Sequence, residues 1–588
     1  MRKIQKRLIT FGIFTLFFTA VLMARLAQIQ LFETESFSTK NINLIEESVK
    51  QRTQQVVIDD GRGYFLDRNG RPLGEHYIPT IVLFPFLKDY KFPIEQLLKI
   101  IPNSSEKLEQ LLLSAKKPII LNQDIGIYVQ DEMINQINQL NIPGVFGVYM
   151  KTKSQEPIAS HLIGLTSADN RLIKKLYPEK DPLPYYTTIG VTGLERAFDE
   201  FLLPEKETKL MYHVDGLGRP LFGVQVKYMA DSSPFYPVSV QTTIDAEIQK
   251  MAEKILEKHK LKKGGLILLD IERNEVLALV SKPDLNRNDK STFYNYMFEP
   301  MFPGSVFKTV IAAAAIEKNS VLPNRTFNCD LDLYGKKEKD PIKRYGMLTF
   351  TESFAKSCNY AFAALGQELM AKNDQVFEEY AEKLGLINLV GWKGQVYHYE
   401  EFQQIPEEHY GKIWGDEKDK RITKAIVQTS IGQKNVSITP LAVVNMMATI
   451  ARGGEKREVK VASKILYKNG TTMFQFDDHR LQGDTISPYT AQKLQRLLRE
   501  VVAHNEGTGR RFNSLPFEVA GKSGTAETGK DNEKGEKLYH KWFAGYFPFQ
   551  NPQYALVVVD MDTTSEAAVT NDVFYDFAKS LYQHINKR

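Results

Sequence analysis

At 588 residues, 43% of them hydrophobic and 25% charged, the chain is too long for one compact core and has the composition of a folded multidomain protein. A formal net charge of +5, with both signs dispersed, is too slight to argue for a nucleic-acid partner. Two cysteines, Cys329 and Cys358, exclude a disulfide framework though not a single bridge, and ten histidines without ligand spacing predict neither a metal nor another cofactor.

In chain order, the first element is an apolar run. Leu8 to Ala24 is 17 residues without a charge, at the short end of what crosses a bilayer as a helix. Arg2, Lys3, Lys6 and Arg7 precede it and Arg25 follows. That basic flank puts residues 1–7 in the cytoplasm, makes residues 8–27 a single-pass cell-membrane anchor and leaves the remainder extracytoplasmic. No Ala-x-Ala site closes the run, which favours a retained anchor over a cleaved signal peptide. Gln28 to Ser48 reads as a polar continuation of the same helix.

Residues 45–235 read as one mixed domain. Short strands such as Thr80 to Phe84 alternate with amphipathic helices such as Pro93 to Ile101 and Asp131 to Leu140, and Arg68-Asn69-Gly70 marks a turn. Nothing there offers a nucleophile beside a base or a phosphate-cradling loop. A spacer or interaction domain is the expectation.

Residues 236–588 have a different pattern. Gly265 to Asp270 and Val276 to Ser281 are β-rich runs joined by Glu272-Arg273-Asn274-Glu275, and Trp542 to Phe547 with Tyr554 to Met561 forms a second hairpin. Between them lie helices over Phe350 to Leu369, Pro440 to Ala451 and Pro488 to Val502, and a polar insertion from Trp392 to Arg421. An amphipathic helix, Asp572 to Ile585, closes the chain. Strands at both ends of this half with helices between them predict an antiparallel sheet closed by its termini, flanked by helices and a helical region. The fold class is multidomain α+β.

One helix start stands out. Pro303-Gly304 leads into Ser305-Val306-Phe307-Lys308 and then an apolar, alanine-rich run. Serine and lysine at i and i+3 share one face, so the amine can reach the hydroxyl. A desolvated lysine has a lowered pKa, which makes it a usable base beside a nucleophile. The tetrad recurs at Ser104, Ser114 and Ser353, where a solvated face or loop is the simpler reading. Two further motifs follow in order: Ser357-Cys358-Asn359 ahead of a helical run, and Lys522-Ser523-Gly524-Thr525 in the β-like segment Phe517 to Glu527.

The ordered set resembles the serine and lysine motifs of penicillin-recognising enzymes. Most of the chain is similar to class B penicillin-binding proteins, membrane-anchored peptidoglycan D,D-transpeptidases. Further landmarks are Arg62-Gly63, Asp67 to Gly70, Ser160 to Gly164, Gly190 and Gly193-Leu194-Glu195, Thr243-Ile244-Asp245 with Gln249, Ser430 to Gln433, Thr439-Pro440, and Trp542 to Tyr546. Lys434 stands where glycine is common, Ser523 where threonine is common, and Lys151-Thr152-Lys153 departs from the family's Arg-Tyr-Pro-like segment.

The resemblance implies an elongated pedestal domain followed by a transpeptidase domain. It implies Ser305 as nucleophile, Lys308 as its base, Ser357 as proton carrier to the departing D-Ala, and Lys522 as a cation that keeps Lys308 neutral and attracts the substrate carboxylate. Asn359 would bind the substrate amide, Ser523 and Thr525 its carboxylate, and Gly524 would leave room for an extended peptide along the strand. The implied partners are D-Ala-D-Ala stem peptides, β-lactam antibiotics, the membrane and other wall-synthesis membrane proteins. A D,D-carboxypeptidase or a β-lactamase-like hydrolase is the alternative among enzymes, and a non-catalytic β-lactam sensor or scaffold is the alternative outside them. Cys358 reads as a small packing side chain, with a bridge to Cys329 open.

Overall fold

The computed structural model describes residues 2–35, 37, 44–89, 94–101, 105–154, 157–180, 183, 187–215, 219–221, 225–230, 233–321, 324–337, 344–564 and 569–587. Residues 36 and 38–43 of the expected helix continuation, Ser104 and Pro93 lie outside this set. The chain folds into two compact units.

The first unit comprises residues 1–61, 76–152 and 206–233. It begins with α1 (Arg2–Ala27), which runs on through a π-helical turn, Gln28–Phe32. The combined helix of 31 residues is long and apolar enough to cross a membrane, and none of its most apolar stretch is buried in the protein. It does not continue to Ser48 as expected, because Glu33 leaves helical space at φ −112° and a separate helix, Leu44–Gln51, follows. Beyond it, Thr53–Asp59, Thr208–His213 and Lys227–Met229 form one antiparallel sheet. Glu75–Leu83 lies between Ile119–Ile120 and Val145–Lys153 in another. Val82, Phe84, Phe86, Met150, Leu210 and Tyr212 make one core, and a second forms around Leu97, Leu108 and Ile137.

The second unit comprises residues 62–75, 153–205 and 234–588. The division between units therefore differs from a linear boundary at 235/236. Tyr64–Leu66 pairs in parallel with Ser239–Thr242, so an early segment is stitched into a sheet with a late one. The early landmarks gather in this unit around a buried ion network. Arg62 bonds Glu195 at 2.5 Å and Asp199 at 2.8 Å, and donates to the Thr188 carbonyl. Gly164 and Gly193 abut one another, since a Cβ on Gly164 would lie 2.0 Å from the Thr192 oxygen.

The remainder is built on α2 (Ala246–Lys258), β1 (Gly264–Asp270), β2 (Glu275–Lys282), α3 (Lys308–Glu317), α4 (Phe350–Ala355), α5 (Asn359–Lys372), α6 (Pro440–Ala451), α7 (Pro488–Ala503), β3 (Ala520–Asp531), β4 (Lys537–Phe547), β5 (Tyr554–Thr563) and α8 (Thr570–Ile585). The strands form one antiparallel sheet in the order β2-β1-β5-β4-β3, as expected from strands at both ends of this half. Both faces are buried. Leu266 and Leu268 of β1 point to the α2 and α8 side, with Val558, Phe574 and Phe577. Ile267 and Leu269 point the other way, into the core shared by α3, α6 and α7. Period-two alternation in an unbroken apolar run has this outcome. Asp245 caps α2, and Gln249 locks α2 to β2 through paired bonds with the Leu279 backbone, both 2.8 Å.

Two expectations need correction. Phe350 to Leu369 is not one helix: Ser357 adopts φ +60°, which ends α4 and starts α5 anew. The stretch from Trp392 to Arg421 is not simply a polar insertion either. It holds a hairpin, Lys393–Val396 with Tyr399–Gln403, and buries Trp392, Phe402, Ile413 and Trp414 in the main core.

Candidate active site

The turn that carries Ser305 is a short 3-10 segment, Gly304–Phe307, running into α3. Gly304 has φ +53°, and a Cβ there would lie 2.2 Å from the Thr525 carbonyl oxygen, so only glycine lets this turn press against β3. Its N–H donates to the Gly432 carbonyl at 3.0 Å. Gly432 is in turn tight: at φ +73°, a Cβ would meet the Gly304 oxygen at 2.1 Å. The Ser430 to Gln433 landmark is thus the support under the nucleophile turn. Lys434 keeps the left-handed conformation a glycine would favour, φ +67°, and its ammonium pairs with Asp419 at 2.5 Å.

Eight of the ten residues of α3 are buried, Lys308 among them with no exposed surface. An ammonium in such a place needs acceptors or must lose its proton. Lys308 Nζ lies 2.7 Å from the Ser357 carbonyl, 3.1 Å from Ser357 Oγ and 2.7 Å from Asn359 Oδ1. None of these bonds involves Ser305, which is half-buried in the turn ahead of α3. Burial, and then the charge of Lys522, holds the Lys308 amine well below the ordinary lysine range. Lys522 is also wholly buried, which pulls its pKa down to about 7. Its Nζ donates to Ser357 Oγ at 3.0 Å and to the Ser523 carbonyl at 3.3 Å. Ser357 therefore stands between the two lysines. The rings of Phe362 and Phe354 lie 5.5 and 5.7 Å from the two nitrogens.

Asn359 Oδ1 accepts from Lys308 Nζ at 2.7 Å, so its amide is part of the lysine's surroundings. Two differences from the sequence reading are chemical. Gly524 does not leave open room along the strand: a Cβ would lie 2.5 Å from the Pro303 oxygen and 2.9 Å from Val306 Cγ2, so the missing side chain serves the packing of β3 on the Ser305 turn. Cys358 is not a free packing thiol. It is bonded to Cys329, which ties the segment between Ser357 and Asn359 to the strand Thr326–Asn328 and its neighbours.

β3 is the edge of the sheet, with Ser523 half-buried and Thr525 exposed. Ser523 Oγ donates to Thr508 Oγ1 at 2.8 Å, and the Thr508 N–H donates to the Ala355 carbonyl at 3.3 Å. Lys356 pairs with Glu506 at 2.5 Å. The loop after α7 thus joins the end of α4 to β3, a role with no short-range signal in the sequence. The Ser-x-x-Lys copy at Ser353 is not on the solvated face or loop expected: Ser353 is buried in α4, and Lys356 is in an ion pair. Trp542 donates through Nε1 to the Phe302 carbonyl at 2.9 Å, anchoring the approach to the nucleophile turn from β4.

Residues 264–579 match the family model described as the penicillin binding protein transpeptidase domain. Similar curated proteins include stage V sporulation protein D of Bacillus subtilis, 24% identical, with 94% of this chain and 81% of that protein covered. The peptidoglycan D,D-transpeptidase MrdA of Haemophilus influenzae is also 24% identical, covering 92% of this chain and 86% of that protein. Among solved structures, a chain from a study of polymerization and crosslinking by a peptidoglycan synthase complex superposes with TM-score 0.65 at 22% identity, covering 97% of each chain. A chain from the complex between penicillin-binding protein PBP2 and MreC of Helicobacter pylori gives TM-score 0.59 at 18% identity, covering 90% of this chain and 99% of that one. With more than half of the sequence inside one family model and near full-length relatives beyond it, the chain belongs to the penicillin-binding protein transpeptidases, in their class B form.

Proposed function

We propose that this chain is a membrane-anchored peptidoglycan D,D-transpeptidase that cross-links stem peptides through an acyl-enzyme on Ser305, and that β-lactams acylate the same serine. The observation that carries the reading is the convergence of two wholly buried lysines, Lys308 and Lys522, on the Ser357 hydroxyl, within 3.1 Å. Burying two amines this deeply is costly for stability and has a chemical rationale only if one must be neutral.

A neutral amine has two N–H donors and one lone pair. The Ser357 carbonyl and Asn359 Oδ1 accept the two N–H bonds of Lys308, which leaves the lone pair to take a proton from a hydroxyl. Ser305 Oγ then bonds to the carbonyl carbon of the penultimate D-Ala, and the C–N bond to the terminal D-Ala breaks. The proton taken from Ser305 passes through Lys308 and Ser357 to the departing amine. An amine of a neighbouring stem attacks the ester, its proton returns along the same route, and Ser305 is released. The backbone N–H groups of Ser305 and Thr525 face the developing oxyanion, and losing one such donor typically costs about a hundredfold or more. The Asn359 amine end holds the substrate amide, and Ser523 and Thr525 hold the terminal carboxylate.

The reading assigns residues 45–235 mainly to a pedestal and residues 236–588 to the transpeptidase, with residues 8–27 as the anchor and the N-terminus cytoplasmic. The pedestal is the surface for other wall-synthesis membrane proteins, which the MreC complex of the similar Helicobacter pylori protein supports. The test is labelling of the purified full-length chain with a fluorescent penicillin, beside Ser305→Ala. A stable adduct on the parent alone supports the reading. No adduct on the parent removes it, and rapid turnover of the adduct favours a hydrolase. Cross-linking of a lipid-linked polymer by the parent, but not by Ser305→Ala, separates a transpeptidase from a carboxypeptidase.

A further inference from the structure

A stem peptide ends in a carboxylate, and so do β-lactams. In the site described above, Lys522 is poorly placed to meet that charge, because it is wholly buried and its nitrogen is turned to Ser357 Oγ and the Ser523 carbonyl. The hydroxyls of Ser523 and Thr525 are neutral donors, and a carboxylate held by neutral donors alone is held weakly compared with one that also meets a cation.

Lys541 is at the open end of this strand. It sits on β4 directly opposite Thr525 of β3, and its Nζ lies 3.4 Å from Thr525 Oγ1. Its stem is half-buried along the sheet and its nitrogen lies 5.1 Å from the Tyr539 ring centre. Among the described residues no carboxylate lies within 4.0 Å of it. Its other cross-strand neighbour, Asp560 of β5, is buried and accepts from the Val569 N–H at 3.3 Å. Burial holds the Lys541 amine below the ordinary lysine range, and the nearby Asp560 offsets part of that shift. The arrangement is a cation with a partly dehydrated stem, beside a hydroxyl assigned to the ligand's charged end.

We infer that Lys541 is a specificity-determining residue that pairs with the terminal carboxylate of the donor peptide or β-lactam at the Thr525 end of β3. The inference rests on the acyl-transfer reading of Ser305. Recognition of the carboxylate then comes from Ser523, Thr525 and Lys541 together, while Lys522 serves the proton path.

The test compares acylation of the full-length chain, Lys541→Met, Lys541→Gln and Lys541→Arg by a penicillin bearing a free carboxylate and by its methyl ester. A charge-assisted bond at a half-exposed position predicts a loss of about tenfold in the second-order rate with the acid for the Met and Gln variants. The ester, which carries no charge there, loses little, and Lys541→Arg restores the acid rate. Added salt narrows the gap between parent and Lys541→Met. Equal losses for acid and ester, or no loss with the acid, overturn the assignment while leaving Ser305 as nucleophile. A parent that takes no label at all removes the acyl-transfer reading and this inference with it. Thermal melting of each variant separates a folding defect from a binding one.

Discussion

Lys522→Met tests the site's electrostatics most directly, because it keeps an unbranched chain nearly as long and removes the amine. Burial pulls Lys522 from 10.5 to about 7, a difference that corresponds to roughly 5 kcal/mol. The sign follows from proton binding: the unfolded chain holds the proton up to the ordinary lysine range, whereas the folded chain sheds it near 7. The destabilisation is full below about pH 7 and fades as pH rises toward 10.5. Against it stand the bonds from Lys522 to Ser357 Oγ and the Ser523 carbonyl, together about 2–3 kcal/mol. The variant should therefore be about 2 kcal/mol more stable than the parent at pH 6, by a few degrees in melting temperature, with the gap closing by pH 9. Acylation should fall by about a hundredfold or more, because Ser357 loses a donor and Lys308 loses the positive neighbour that helps keep it neutral. Residual acylation should rise only at higher pH than in the parent, since removing a like charge raises the Lys308 pKa. Differential scanning fluorimetry across pH and stopped-flow labelling read both effects. A variant less stable than the parent at every pH, or one with an unmoved pH–rate limb, would refute the argument that two coupled buried amines run the site.

Three more outcomes follow from the same geometry. Asn359→Asp places a carboxylate 2.7 Å from Lys308 Nζ, which favours the protonated amine; the rising limb of acylation against pH should move to higher pH, and an unchanged limb would exclude Lys308 as the base. Gly432→Ala drives a Cβ to 2.1 Å from the Gly304 oxygen at a left-handed backbone position, so stability should drop by about 2–4 kcal/mol and labelling should fall more than melting alone explains. Wild-type labelling by that variant would show that the turn does not depend on its support. Replacing Cys329 and Cys358 together by alanine opens a bridge spanning 29 residues, a loss of roughly 3–4 kcal/mol on the chain-entropy model, and should slow acylation because Ser357 and Asn359 flank Cys358. An unaltered melting temperature would contradict this.

Much of the second unit was legible in local pattern. β1 and β2 stand where β-rich runs are joined by a turn, α6 begins at Thr439-Pro440 because threonine caps and proline suits the first turn, and α8 follows its amphipathic period. The break at Ser357 was not legible, since a left-handed serine is stabilised by its surroundings: the two lysines, the disulfide and the Phe354 carbonyl that accepts from its N–H. Nor was the burial of Trp392 and Trp414, which lie in a stretch rich in charged residues.

The order Ser305, Lys308, Ser357, Asn359, Lys522 was determined by the primary sequence, because spacing along a helix start or a strand is a local property and survives without knowledge of the rest. Which atoms meet was decided only by the tertiary structure. Lys308 turning to Ser357 and Asn359, Gly524 serving the packing of the Ser305 turn, Thr508 holding Ser523 and Lys541 reaching Thr525 all join residues far apart in the chain. Such contacts depend on sheet register and on close packing between glycines. Neither can be summed from residue preferences, because each is fixed by which partner excludes the others from the same volume.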